Sequence, residues 1–136
     1  MAGLTLGASY TYLDATDPDG SSSIRRPEHS GRFDVDYTFD DGRARINAAA
    51  IYNGDMLDLN FGPFPAVDVA LDDYLLVNVA ASYQLSPGVQ LYGRVENALN
   101  ENYQEVFGFE TAGVAAYAGF RFTYVEEATR AWAEGR

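Results

Sequence analysis

The sequence predicts an all-β fold, an antiparallel up-and-down meander of about six strands, and three observations carry that expectation. Ten tyrosines, eight phenylalanines and thirteen glycines against one tryptophan make a composition of strand formers and turn formers. Apolar and polar residues alternate with a period of two in six separate stretches. The connections between those stretches run long, short, long, short, long.

In residues 4–13, Leu4, Leu6, Ala8, Tyr10 and Tyr12 share a face opposite Thr5, Gly7, Ser9 and Thr11. A polar loop follows, from Asp14, Asp17, Pro18, Asp19 and Gly20 to Arg25-Arg26-Pro27-Glu28-His29, a composition of turns and solvent. The second strand, residues 32–39, sets Phe33, Val35, Tyr37 and Phe39 against Arg32, Asp34, Asp36 and Thr38. Asp40-Asp41-Gly42 is a tight turn, since glycine takes the positive φ that a short hairpin requires. In residues 44–52, Ala44, Ile46, Ala48, Ala50 and Tyr52 oppose Arg45, Asn47, Ala49 and Ile51.

Residues 53–73 are expected to be a long loop in which Gly62-Pro63 and Phe64-Pro65 break any regular structure. The fourth strand, residues 75–85, places Leu75, Val77, Val79, Ala81, Tyr83 and Leu85 against Leu76, Asn78, Ala80, Ser82 and Gln84. Ser86-Pro87-Gly88 is the second tight turn. The fifth strand sets Val89, Leu91, Gly93, Val95 and Leu99 against Gln90, Tyr92, Arg94 and Glu96. After a loop comes the sixth, with Ala116, Ala118, Phe120, Phe122 and Tyr124 against Tyr117, Gly119, Arg121 and Thr123.

In such a meander all three long loops project from one end and both tight turns from the other. Bacterial outer-membrane barrels are built this way. Strands of this length, tilted near 45°, cross roughly 20–25 Å, the height of a lipid-facing band. Aromatic residues gather at the tight-turn end (Tyr37, Phe39, Tyr83, Phe122 and Tyr124), as in an interfacial girdle. The polar residues Asp34, Asp36, Arg45, Arg94, Glu96 and Arg121 would then face a lumen. Cross-strand pairing at about 0.2–1 kcal/mol each is their simplest role, and contact with a plug the functional one. Six strands cannot close a barrel that needs about eight, so further strands are expected elsewhere.

Alternation alone does not say which face is inside. A soluble lipocalin-like barrel that binds a ligand shows the same period with its apolar residues inward. A small complete outer-membrane barrel is the other alternative.

At 136 residues the chain has room for one domain. The absence of cysteine excludes a disulfide framework and a thiolate metal site. A net charge of −11 disfavours nucleic acid and other polyanions and accommodates a cationic or metal-bearing ligand more easily. No apolar run approaches the length of a spanning helix. Met1-Ala2-Gly3 leads straight into strand sequence without a secretory signal, so the chain is expected to be a piece of a longer one. Asp14, Asp17 and Asp19 beside Gly20 are weak calcium candidates, because an EF-hand register puts Ala15 and Arg26 at ligand positions; a solvated turn is the simpler reading. His29 beside Ser30 lacks a third group and an oxyanion motif, so no catalytic residue and no cofactor are expected.

Three motifs go beyond the generic pattern. Tyr117, Gly119, Phe122 and Tyr124 resemble the C-terminal assembly signal of outer-membrane barrels, read by the barrel-assembly machinery. Arg25-Arg26-Pro27-Glu28-His29 and Arg94-Val95-Glu96-Asn97-Ala98-Leu99-Asn100-Glu101-Asn102-Tyr103 resemble elements of TonB-dependent outer-membrane receptors. Asp72-Asp73-Tyr74 to Val106-Phe107-Gly108-Phe109 is most similar to the vitamin B12 receptors among them. This resemblance covers about residues 4–124. It implies that residues 1–124 are the C-terminal fragment of a receptor barrel in the outer membrane of a Gram-negative bacterium. It also implies an importer of vitamin B12 or a ferric siderophore, with a plug, the remaining strands and the TonB contact supplied upstream. Residues 125–136 depart from the family pattern as a charged tail that could form a short helix.

Overall fold

The computed structural model describes residues 2–18 and 20–124. Asp19 and the tail 125–136 lie outside the described residues. Among the described residues there are eight strands: β1 Gly3–Tyr12, β2 His29–Phe39, β3 Ala44–Asn53, β4 Met56–Asn60, β5 Val67–Leu71, β6 Tyr74–Ser86, β7 Val89–Glu96 and β8 Ala115–Phe122. Six form one antiparallel sheet in the order β1-β2-β3-β6-β7-β8, while β4 and β5 pair as a separate hairpin. The all-β meander of six strands therefore holds.

Register makes the two faces continuous. One row passes from Leu6 to Val35, Ala48, Val79, Val95 and Ala116, each opposite the next across all six strands. The adjacent row on the other face is Thr5, Asp36, Asn47, Ala80, Arg94 and Tyr117. Because side chains alternate, a slip of one residue in any pair would break both rows. The apolar face is uncovered, with Leu6 58% and Phe120 63% exposed. Among the buried apolar residues, the small Ala44 and Ala49 lie in β3, while the larger Met56, Leu71 and Tyr74 sit at the long-loop end.

Four sequence expectations need correction. Residues 53–73 are not an irregular loop, because the prolines fall in the 61–66 connection of the β4–β5 hairpin, where they punctuate a turn instead of breaking a strand. β2 begins at His29, extended by the pairing of Tyr12 with His29. Leu99 does not share the apolar face of β7: the strand ends at Glu96 and Asn97 turns the chain with φ 49°. Leu85 falls at a register shift between Gln84 and Ser86, so it is the extra residue of a bulge.

Gly119 has a specific steric reason to be glycine. It lies opposite Tyr92. A Cβ on it would stand 2.7 Å from the Tyr92 hydroxyl oxygen and 2.8 Å from Cζ, so the ring occupies the space a side chain would need. Gly119→Ala is expected to cost about 1–3 kcal/mol through this overlap. Urea unfolding in detergent micelles would measure it, and a double-mutant cycle with Tyr92→Ala should return most of the loss; purely additive effects would rule out the contact.

Candidate functional site

The three long connections, residues 13–28, 54–73 and 97–114, meet at one end of the sheet around a single carboxylate. Asp58 lies in β4 on the side of the hairpin that buries Met56 and Leu71, and its side chain has no exposed surface. Its Oδ1 accepts from Arg25 Nε and from the Leu59 N–H, both at 2.8 Å, and its Oδ2 accepts from the Phe107 N–H at 2.7 Å. Arg25 thus brings in the first loop and Phe107 the third. The Arg25 backbone N–H also donates to the Leu57 carbonyl at 2.7 Å. Burial alone would push the Asp58 carboxyl up, but the two backbone N–H donors and the Arg25 guanidinium outweigh it and hold the group below the usual carboxylate range.

A second tie joins the third loop to the sheet. Tyr74, at the start of β6, is buried and its ring lies 4.4 Å from that of Tyr103. Its hydroxyl donates to Glu105 Oε1 at 3.1 Å and accepts from Asn53 Nδ2 at 2.9 Å. Asn97, also buried, folds the chain after β7: its N–H donates to Asn78 Oδ1, its Nδ2 to the Glu101 carbonyl, and its Oδ1 accepts the Glu101 N–H. These contacts give the asparagine of the strand-end motif its role. The hydrogen bond that joins the Tyr10 hydroxyl and His29 Nδ1 at 2.7 Å fixes the base of the first loop.

Between the second and third loops lies a hollow of about 580 Å³, within the common range for small-ligand sites. Asp72, Asp73, Tyr103, Gln104, Phe107 and Glu110 line it, and no basic residue does. The structure so brings together the Asp72-Asp73-Tyr74 and Val106–Phe109 stretches that stand 32 residues or more apart in the sequence.

Asp34, Asp36, Arg45, Arg94, Glu96 and Arg121 all lie on the polar face. Only Arg45 pairs across strands among the ion pairs of this set, with Asp36. Asp34 binds Arg32 and Glu96 binds Arg94, each two residues away on its own strand. Arg121 donates to Gln90 Oε1 at 3.0 Å. Of the calcium candidates, Asp17 accepts from Ser23 Oγ at 2.7 Å, and among the described residues no group of three acidic, histidine or cysteine side chains is placed to hold a metal ion. In the terminal motif Tyr117 lies under the Arg94 guanidinium at 4.5 Å, Phe122 packs on Phe120, and Tyr124 is exposed.

The family described as TonB dependent receptor-like, beta-barrel matches residues 2–98, well over half of the chain. The chain belongs to the TonB-dependent receptor family. Proteins of this family are transporters and not enzymes. The chain is similar to the vitamin B12 transporter BtuB of Vibrio cholerae serotype O1, with 27% identity over 116 residues, 85% of this chain and 19% of the relative. It is 31% identical over 117 residues to BtuB of Photobacterium profundum, covering 84% of this chain and 18% of the relative. Among solved structures it shares the fold of the pyoverdine outer membrane receptor FpvA from Pseudomonas aeruginosa, with a TM-score of 0.77 at 20% identity over 90% of this chain and 19% of that one. The ferric-catecholate import receptor Fiu from Escherichia coli K12 gives 0.70 at 19% identity, over 88% and 18%. The chain spans under a fifth of the length of these relatives.

Asp58 sets a testable order among the loops. Asp58→Ala leaves Arg25 and two N–H donors without their acceptor and should weaken loop closure by about 1–3 kcal/mol. Hydrogen exchange at pH 7 should show Leu59 and Phe107 losing protection while β2 and β3 keep theirs. The pH sign follows from the lowered carboxyl: its contribution is present above the ordinary carboxylate pKa and is lost as pH falls through the lower folded value. The loops should therefore stay tied at pH 5 and part only in stronger acid, an acid step that Asp58→Ala removes.

Proposed function

We propose that residues 1–124 form the C-terminal part of the barrel of an outer-membrane active transporter that imports a metal chelate such as vitamin B12 or a ferric siderophore. The observation that carries this reading is the pair of continuous faces across six strands, with the long loops at one end and the tight turns at the other, in a chain of this family. The apolar face meets outer-membrane lipid and the polar face meets a plug supplied upstream. Ligand binding belongs to the loop end. There the charged residues lining the hollow are all acidic, which favours a neutral or cationic chelate over a polyanionic one and agrees with the vitamin B12 relatives. The terminal strand, through Tyr117, Gly119, Phe122 and Tyr124, is read by the barrel-assembly machinery, and TonB engages the upstream part. Import involves no catalysis.

The rival soluble barrel has no support in the geometry, because the sheet is open and its apolar residues are uncovered on a single layer. Two measurements test the proposal. The chain should aggregate in plain buffer and give a stable β-sheet circular dichroism signal in micelles; a soluble cooperative monomer without detergent would overturn the lipid assignment. In the complete receptor, replacing residues 56–71 with a short glycine-serine link should raise the KM for cyanocobalamin uptake with the barrel still folded. Unchanged uptake of cyanocobalamin would remove the loop end as its binding site.

A further inference from the structure

The hollow at the loop end is bounded on one side by Ala70 and Leu71 of β5 and on the other by Tyr103, Gln104 and Phe107 of the third loop. Arg25, in the first loop, is not among its lining residues, yet both walls lean on it. Its backbone N–H donates to the Leu57 carbonyl at 2.7 Å, and Leu57 is the cross-strand partner of Ala70. Its Nε donates to Asp58 Oδ1 at 2.8 Å, and the other oxygen of that carboxylate accepts the Phe107 N–H at 2.7 Å. One residue therefore braces the strand wall through its backbone and the loop wall through a carboxylate. The path from the guanidinium to Phe107 is two hydrogen bonds long, and its middle is closed to water because the Asp58 side chain has no exposed surface.

Two observations give this role to the side chain itself. Arg25 has φ 57°, in the left-handed region, where an arginine is strained and a glycine is not. A side chain kept at a strained position is one whose contacts the site needs. Tyr103, moreover, is fastened separately, with its ring 4.4 Å from that of Tyr74 in β6. Loss of the guanidinium should thus release the Phe107 side of the hollow and leave the Tyr103 side in place.

We propose that Arg25 is a positioning residue for ligand binding at the loop end, which sets the spacing of the two walls through Asp58 and Leu57 without meeting the ligand. This rests on the loop-end binding proposed above.

The test uses the complete receptor and cyanocobalamin. Arg25→Gln should raise the KM for uptake by about tenfold, within the ordinary range for coupling between separated sites, with kcat and the amount of receptor in the outer membrane unchanged. Arg25→Gly relaxes the left-handed backbone but removes the guanidinium, and should raise KM as much. Arg25→Lys keeps a charged donor near Asp58 and should recover part of the loss. Because Arg25 acts through Asp58, Arg25→Gln/Asp58→Asn should be no worse than the more impaired of the two single variants. An unchanged KM in Arg25→Gln would overturn the proposal. So would a glycine variant that matches the unaltered receptor, since the backbone turn would then be the requirement, or a fall in receptor amount or kcat with KM constant, which would make Arg25 a folding residue only. Losses that multiply in the double variant would separate Arg25 from Asp58 and sink the path between them. The replacement of residues 56–71 tells the two failures apart. If it raises KM and Arg25→Gln does not, the loop end still binds and the positioning role alone falls; if neither alters uptake, binding lies elsewhere and both fall.

Discussion

The structure depends on one constraint: a single layer of six strands must satisfy two different surroundings at once. A sheet normally hides its apolar face against a second layer, and the described residues supply none. What remains is register. In the row from Leu6 to Ala116 each apolar residue is opposite another through five consecutive pairings, so the apolar face is a property of the whole sheet and not of any one strand. The bulge at Leu85 and the chain reversal at Asn97 absorb irregularity at strand ends, where neither disturbs that row.

This also explains why so much of the fold was legible in the sequence. A period of two is what a half-exposed strand imposes, and the tight turns carry residues suited to positive φ, as at Asp40, Asp41 and Gly42. The loops were less legible because their contacts are non-local. Asp58 falls in a stretch that reads as solvated loop, yet it lies in a strand and its side chain is buried. What overturns the local pattern is the arrival of Arg25 from 33 residues before and the Phe107 amide from 49 residues after. The one available signal was Arg25 itself, conspicuous within a motif but without a partner until the hairpin is placed. Gly62, Pro63 and Pro65 misled for a related reason. They mark a turn equally well whether strands flank it or not.

Most of the burial of large side chains is at the loop end of the sheet. Met56, Leu71 and Tyr74 are buried at the loop end, where Asp58 and Asn97 are buried as well and hydrogen-bonded. Enclosing a carboxylate is costly unless its acceptor capacity is used, and Asp58 uses both oxygens. A charged hub of this kind adds little net stability compared with an apolar one, but it tolerates few alternative arrangements. That suits loops which must present one surface without a sheet beneath every part of them.

Charge is sorted along the polar face as well. The hollow at the loop end is lined by Asp72, Asp73 and Glu110, and a second hollow, at the turn end, by four arginines. Three of those arginines have carboxylate partners nearby: Arg43 pairs with Asp40, Arg45 with Asp36 and Arg94 with Glu96. A polar face built only for solubility would intersperse its signs throughout. Here one sign lines each hollow, acidic at the loop end and basic at the turn end, and the basic one is largely balanced by carboxylates beside it. The same separation leaves the loop end free to vary without altering the register on which the two faces depend, because none of Asp72, Asp73 and Glu110 lies in a strand of the main sheet.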